Sequence, residues 1–165
     1  MNTKKRALWQ TYERANRPLD ESRGISLHFE KGVDPDVKAL FMSFARWLRK
    51  TFVFPVHLNV YLLERETVLL RSGREAYGSF IWFENMPPRI RIPVRIGCAG
   101  DFAHEKYALM EEALGSFVHE LTHYFQWLEY DDQSDAASEV QADYYRFRLI
   151  DRYYAETGIE PVRGE

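Results

Sequence analysis

From Met110 to Leu128 the chain places Met110, Ala113, Leu114, Phe117, Val118, Leu121, Phe125 and Leu128 at helical spacing, an apolar stripe about five turns long. A helix of roughly Glu105 to Leu128 with such a stripe must be covered along its whole length. The preceding hundred residues offer a sheet to cover it. "ISLHFE", Ile25 to Glu30, alternates apolar and polar residues as a half-buried strand does. "GVDPD" supplies Asp34 as N-cap and Pro35 in the first turn of a helix. That helix buries one face through Val37, Leu40, Phe41, Phe44, Trp47, Leu48 and Thr51, and it stops before Pro55. "VHLNVYLLE" from Val56 is a strand, and Thr67 to Arg71, Ala76 to Asn85 and Arg89 to Ile96 are three more. Asn85 to Pro88 would turn the last two into a hairpin, and Pro93, lacking an N–H, pushes the end of its strand toward an edge or a bulge.

The 165 residues suit one domain, and an apolar share of 45% with 15% aromatics is ample for a core. The 22 basic and 25 acidic residues are interspersed, so no nucleic-acid footprint stands out. The single cysteine, Cys98, excludes an internal disulfide framework and a cysteine-rich zinc ribbon; it reads as a small buried residue. The basic opening through Pro18 is broken by Gln10, Glu13 and Arg14 before any apolar run develops, and no stretch approaches a membrane span. The expectation is a cytoplasmic protein with no membrane partner. Residues 1–24 read as a polar N-terminal extension, in which Trp9 and Tyr12 pack on the surface or plug a cleft, followed by a single domain over 25–165.

The long helix also carries "HELTH", His119 to His123. A four-residue step nearly closes a helical turn, so the two imidazoles can point at one atom. Glu120 is rotated by about 100° from His119, beside a metal position rather than on it, where a carboxylate can take a proton from water. This is the H-E-x-x-H arrangement, and it sits on a helix as that arrangement requires. A catalytic zinc needs a third protein ligand, and no histidine follows His123. The next helix opens after "DDQSD" with Ser134 or Asp135 as cap and places Glu139 and Asp143 one turn apart, with Ala142 beside them to let two helices approach. Glu139 then serves as third ligand, and Asp143 accepts the other ring N–H of His119. The competing reading is a solvated acidic face paired with Arg146. Tyr144, Tyr145, Arg146 and Tyr153 are near enough to serve an oxyanion, but none is singled out.

His119-Glu120-x-x-His123 followed by Glu139-x-x-Ala142-Asp143 resembles the gluzincin clan of zinc metallopeptidases, and "SEVQADYY" is most similar to its compact ImmA/IrrE-type members. Thr122 departs from the glycine often found inside that family's HExxH. The order of strands and helices over roughly 25–155 also resembles the clan's plan. The resemblance implies an α+β, zincin-like fold: a twisted mixed sheet of four to five strands packed on an active-site helix and a following glutamate helix. It further implies an antiparallel edge strand, here Ala76, Tyr77, Gly78, Ser79 and Phe80, that binds substrate backbone. The expected protein holds one zinc ion through His119, His123 and Glu139 and hydrolyses peptide or protein substrates with Glu120 as general base. Two alternatives stay open. One is a non-catalytic, zinc-stapled binding or regulatory protein, with His28, His57 or His104 as a fourth ligand; the other is a self-inhibited peptidase.

Overall fold

The computed structural model describes residues 1–18, 21–96, 103–130 and 132–161. Cys98 and the side chain of His104 lie outside the described residues. The architecture is mixed α+β: among the described residues, five helices and a four-stranded mixed sheet, with a separate two-stranded ribbon.

Two short helices, α1 (Thr3–Arg6) and α2 (Leu8–Thr11), precede β1 (Ile25–Phe29). Helix α3 (Pro35–Thr51) starts where the sequence predicts, with the Asp34 carboxylate accepting from the Asp36 N–H at 2.8 Å and Pro35 in the first turn. It crosses over to β2 (Leu58–Leu63), which lies parallel to β1 with Ile25 opposite Leu58, a βαβ unit. Next come β3 (Val68–Leu69), β4 (Glu75–Ala76), β5 (Ser79–Phe83) and β6 (Met86–Pro93). The sheet order is β1-β2-β6-β5, with β6 parallel to β2 and β5 antiparallel to β6 at the edge. Leu58, Val60, Leu62, Ile90 and Ile92 are fully buried on one face, against α3 and the long helix α4 (Ala103–Leu128). Helix α5 (Asp135–Thr157) packs along α4. Ser134 is its N-cap, accepting from Ala137 N–H at 3.2 Å, and Gly158 ends it in the left-handed conformation at φ 68°.

Three local expectations change. The run Ala76 to Asn85 is broken: Ala76 pairs with Val68 in the β3–β4 ribbon, Tyr77 and Gly78 leave the ladder, and β5 begins at Ser79 opposite Arg91. The turn into β6 is Glu84 and Asn85, and Met86 and both following prolines belong to the strand. Prolines are tolerated there because the β5–β6 register shifts between Ile81 and Phe83, so the ladder is already irregular. Pro93 ends β6 two residues beyond Arg91, the last residue paired to β5, so its missing N–H costs no ladder bond on that side.

Far from lying on the surface or in a cleft, Trp9 and Tyr12 are 2% exposed and belong to the same hydrophobic core as α3, α4 and the sheet. Trp9 meets Phe52 and Phe125 edge-on, with centroids 5.0 and 4.7 Å apart. The Val53 N–H donates to the Tyr12 carbonyl at 2.7 Å. Among the described residues no helix is long and apolar enough to cross a membrane.

Candidate metal centre

His119 and His123 lie on one face of α4 because four residues separate them, and α5 brings Glu139 against both. The His119 Nε2 is 3.0 Å from one Glu139 oxygen, the His123 Nε2 is 3.1 Å from the other, and the two Nε2 atoms are 3.2 Å apart. Ala142, one position before Asp143 on α5, is fully buried. Gly115 provides a close approach: a Cβ there would stand 3.0 Å from Cγ of Arg146.

The tautomers follow from the surrounding network. His119 Nδ1 lies 3.0 Å from the Asp143 carboxylate, which only accepts, so Nδ1 carries the proton. His123 Nδ1 lies 2.7 Å from Oε1 of Gln126. The amide orientation of Gln126 is set by its NH2, which donates to the Ser138 carbonyl at 3.1 Å and to Gln141 Oε1 at 2.8 Å. Oε1 is therefore the acceptor and His123 Nδ1 the donor. In the neutral imidazoles both Nε2 atoms then keep lone pairs that converge on each other and on a carboxylate, three acceptors in one place. Such a set is mutually repulsive unless a proton or a metal cation lies within it. Ligand atoms about 2.0–2.1 Å from a tetrahedral zinc would stand roughly 3.3 Å apart, close to the spacings here. His119, His123 and Glu139 are thus suited to hold one divalent ion. Burial first, then the neighbouring His123, holds the His119 imidazole below its ordinary pKa, against the pull of Glu139 and Asp143; the neutral form is the one that ligates.

Glu120 points instead to the edge strand. It is nine-tenths buried, and burial, helped by the charge of Glu139, pushes its carboxyl up to about 8, while Arg146 and a hydrogen bond from the Phe80 backbone N–H act the other way. The contact is tight enough that a side chain at position 78 would displace the carboxylate: a Cβ on Gly78 would stand 2.9 Å from Glu120 Oε1.

An open groove of about 1450 Å³ runs between this strand and the two helices. Ala76, Tyr77, Gly78, Ser79 and Phe80 all line it, as do His119, Glu120, His123, Glu139 and Asp143. The Ser79 side chain is nevertheless buried, its hydroxyl accepting from Arg91 Nε at 3.1 Å. Phe80 packs on Trp127, and Trp82 joins it there. His28 and His57 are elsewhere, bonded to Asn59 and to Ser26 and the Arg23 carbonyl, so neither supplies a fourth ligand.

Two partners of the site escaped the sequence reading. Gln126 lies one turn beyond His123, a relationship a helical projection contains. Thr122, where the resemblance leads one to look for glycine, is fully buried; its hydroxyl donates to the Val118 carbonyl at 2.9 Å and accepts from the Trp9 indole at 3.0 Å. Nothing local signals the second. In comparisons with family models, with curated proteins and with solved structures, nothing matches the chain.

Proposed function

We propose that the protein is a zincin-like metallopeptidase that hydrolyses a peptide bond in a peptide or protein substrate. The observation that supports this most is the three-acceptor set of His119, His123 and Glu139, opening on a groove in which Glu120, from the same helix as the histidines, lies against an antiparallel edge strand. Zinc bound there supplies Lewis acidity, polarising the scissile carbonyl and lowering the pKa of water. The chain's own residues do the rest. Asp143 and Gln126 hold the imidazoles in the ligating tautomer and orientation. Glu120 takes a proton from the attacking water and returns it to the leaving amine nitrogen. Burial holds its pKa well above that of a free carboxyl, and a dication held by His119, His123 and Glu139 would pull it downward. The free edge of β5 receives the substrate backbone by strand addition.

The test starts with metal analysis of untagged protein: about one equivalent of zinc is expected, lost in His123→Ala and largely lost in Glu139→Ala. Glu120→Gln is then expected to keep zinc and fold while hydrolysis of a peptide library falls at least about a hundredfold. Full zinc retention in both ligand variants would refute the metal assignment, and unchanged hydrolysis in Glu120→Gln would refute the role of Glu120.

A further inference from the structure

Water addition to a peptide carbonyl places negative charge on the carbonyl oxygen, and donors fixed near that oxygen are among the largest contributions to catalysis. Four side chains of α5 are close enough in sequence to be considered, and three are committed elsewhere. The Tyr145 hydroxyl donates to the Lys5 carbonyl at 3.1 Å, Tyr153 shares a 2.6 Å hydrogen bond with Ser43, and the Tyr144 ring lies under Arg148 at 4.0 Å. None of the three lines the groove. Arg146 does, together with Ser116, His119 and Glu120.

Arg146 continues the functional face of α5: Glu139, Asp143 and Arg146 follow one another at steps of four and three residues. Its guanidinium is under-used. The contact with Asp143 is long, 3.7 Å, and that carboxylate already serves His119 at 3.0 Å. The buried Nε has no partner among the described residues. A guanidinium has five N–H donors; the idle one that is buried is costly, and the others are free to face the groove. Its stem is seated against Gly115, where even a methyl group would crowd it. The charge is thus close to the reacting groups, with the long contact to Asp143 its only ion pair among the described residues.

Resting on the peptidase reading above, we propose that Arg146 is a catalytic residue, binding the scissile carbonyl oxygen as it becomes an oxyanion. When water adds, the C–O π pair moves onto the carbonyl oxygen, Glu120 takes the proton of the water, and Arg146 N–H groups donate to the new oxyanion. On collapse that pair re-forms the carbonyl, the C–N bond breaks, and the amine leaves with the proton returned by Glu120.

The experiment uses the zinc-loaded full chain and two probes, read by calorimetry. One is a phosphinic pseudopeptide with phenylalanine side chains flanking a tetrahedral, anionic phosphinate in place of the scissile carbonyl; the other is acetohydroxamate, which engages the metal without a tetrahedral anion. Arg146→Ala is expected to bind the phosphinate about 10- to 100-fold more weakly, as loss of a charged hydrogen bond implies, with zinc content and acetohydroxamate affinity unchanged. Arg146→Lys keeps the charge and is expected to recover part of the loss; it also serves if the alanine variant fails to fold. Equal phosphinate affinity in parent and variants overturns the assignment, as does parallel loss of zinc and acetohydroxamate, which would make Arg146 a support for Asp143. A parent that binds acetohydroxamate and not the phosphinate overturns it too. Failure of the zinc-loaded parent to bind either probe refutes the peptidase reading itself.

Discussion

Gln126 Oε1 stands 2.7 Å from Nδ1 of His123, and the same amide donates to Gln141 at 2.8 Å, whose own NH2 reaches the Lys5 carbonyl at 2.7 Å. The orientation of one candidate ligand is thereby tied, through two glutamines, to the N-terminal segment of the chain. The other candidate imidazole is held by a carboxylate, Asp143, at 3.0 Å.

These two supports are expected to behave alike toward metal and differently toward the fold. Asp143→Ala and Gln126→Ala should each weaken zinc affinity by roughly ten- to a hundredfold while leaving one equivalent bound at saturation. Gln126 is 6% exposed, so its loss removes the donor to the Ser138 carbonyl and one of two donors to Gln141 Oε1 and lowers the melting temperature as well, whereas the more exposed Asp143 costs little stability. Chelator competition and thermal unfolding on the same samples check both halves. Unchanged chelator midpoints would remove these residues from the site.

Gly78 is required by proximity, with no unusual backbone angle involved. In Gly78→Ala the new methyl group meets the flexible end of Glu120 at 2.9 Å and the Ile92 side chain at 3.3 Å. The carboxylate is expected to swing aside with the fold intact, because its far end can move. Zinc binding should persist while hydrolysis drops at least about tenfold, since a small misplacement of a catalytic group is enough to do so. Parent-like rates on a cleaved peptide would show that Glu120 does not work from this position.

The buried carboxyl of Glu120 also sets a pH dependence for metal-stripped protein. Its pKa is about 8 in the folded chain against 4.5 for the free group. Between those values the folded state holds a proton that the unfolded state has released, so stability falls as pH rises from about 4.5 to about 8 and levels off above. Glu120→Gln has no such proton to lose. The variant is expected to match the parent near pH 4.5 and to melt at least about 3 °C higher at pH 8.5, the shift that about 1 kcal/mol gives in a domain of this size. A constant difference across that range would mean that Glu120 is not buried as described.

Much of the candidate site follows from short-range rules. A four-residue step stacks His119 under His123 and Glu139 beside Asp143, and Asp34 and Ser134 announce the starts of α3 and α5. Periods of about 3.6 and of 2 are local properties of the backbone, and one sequence is enough to read them. What tertiary structure alone decided lies between residues far apart in the chain. Trp9 and Thr122 meet across 113 positions, and Lys5 and Gln141 across 136. A tryptophan in a polar segment therefore enters the core without any periodicity to announce it. The break at Tyr77 and Gly78 has the same origin: no charge or proline interrupts Ala76 to Phe83 in the sequence, and the ribbon with Val68 and the packing on Glu120 interrupt the strand. Arg146 reads in sequence as a surface partner for an acidic face or as one of four side chains near enough to serve an oxyanion; only the packing of α5 on α4 brings it to the groove with Glu120 and leaves its buried Nε without a partner among the described residues. Spacing specifies which side chains share a face of one element, whereas the identity of the opposing surface depends on which elements bury their apolar faces together.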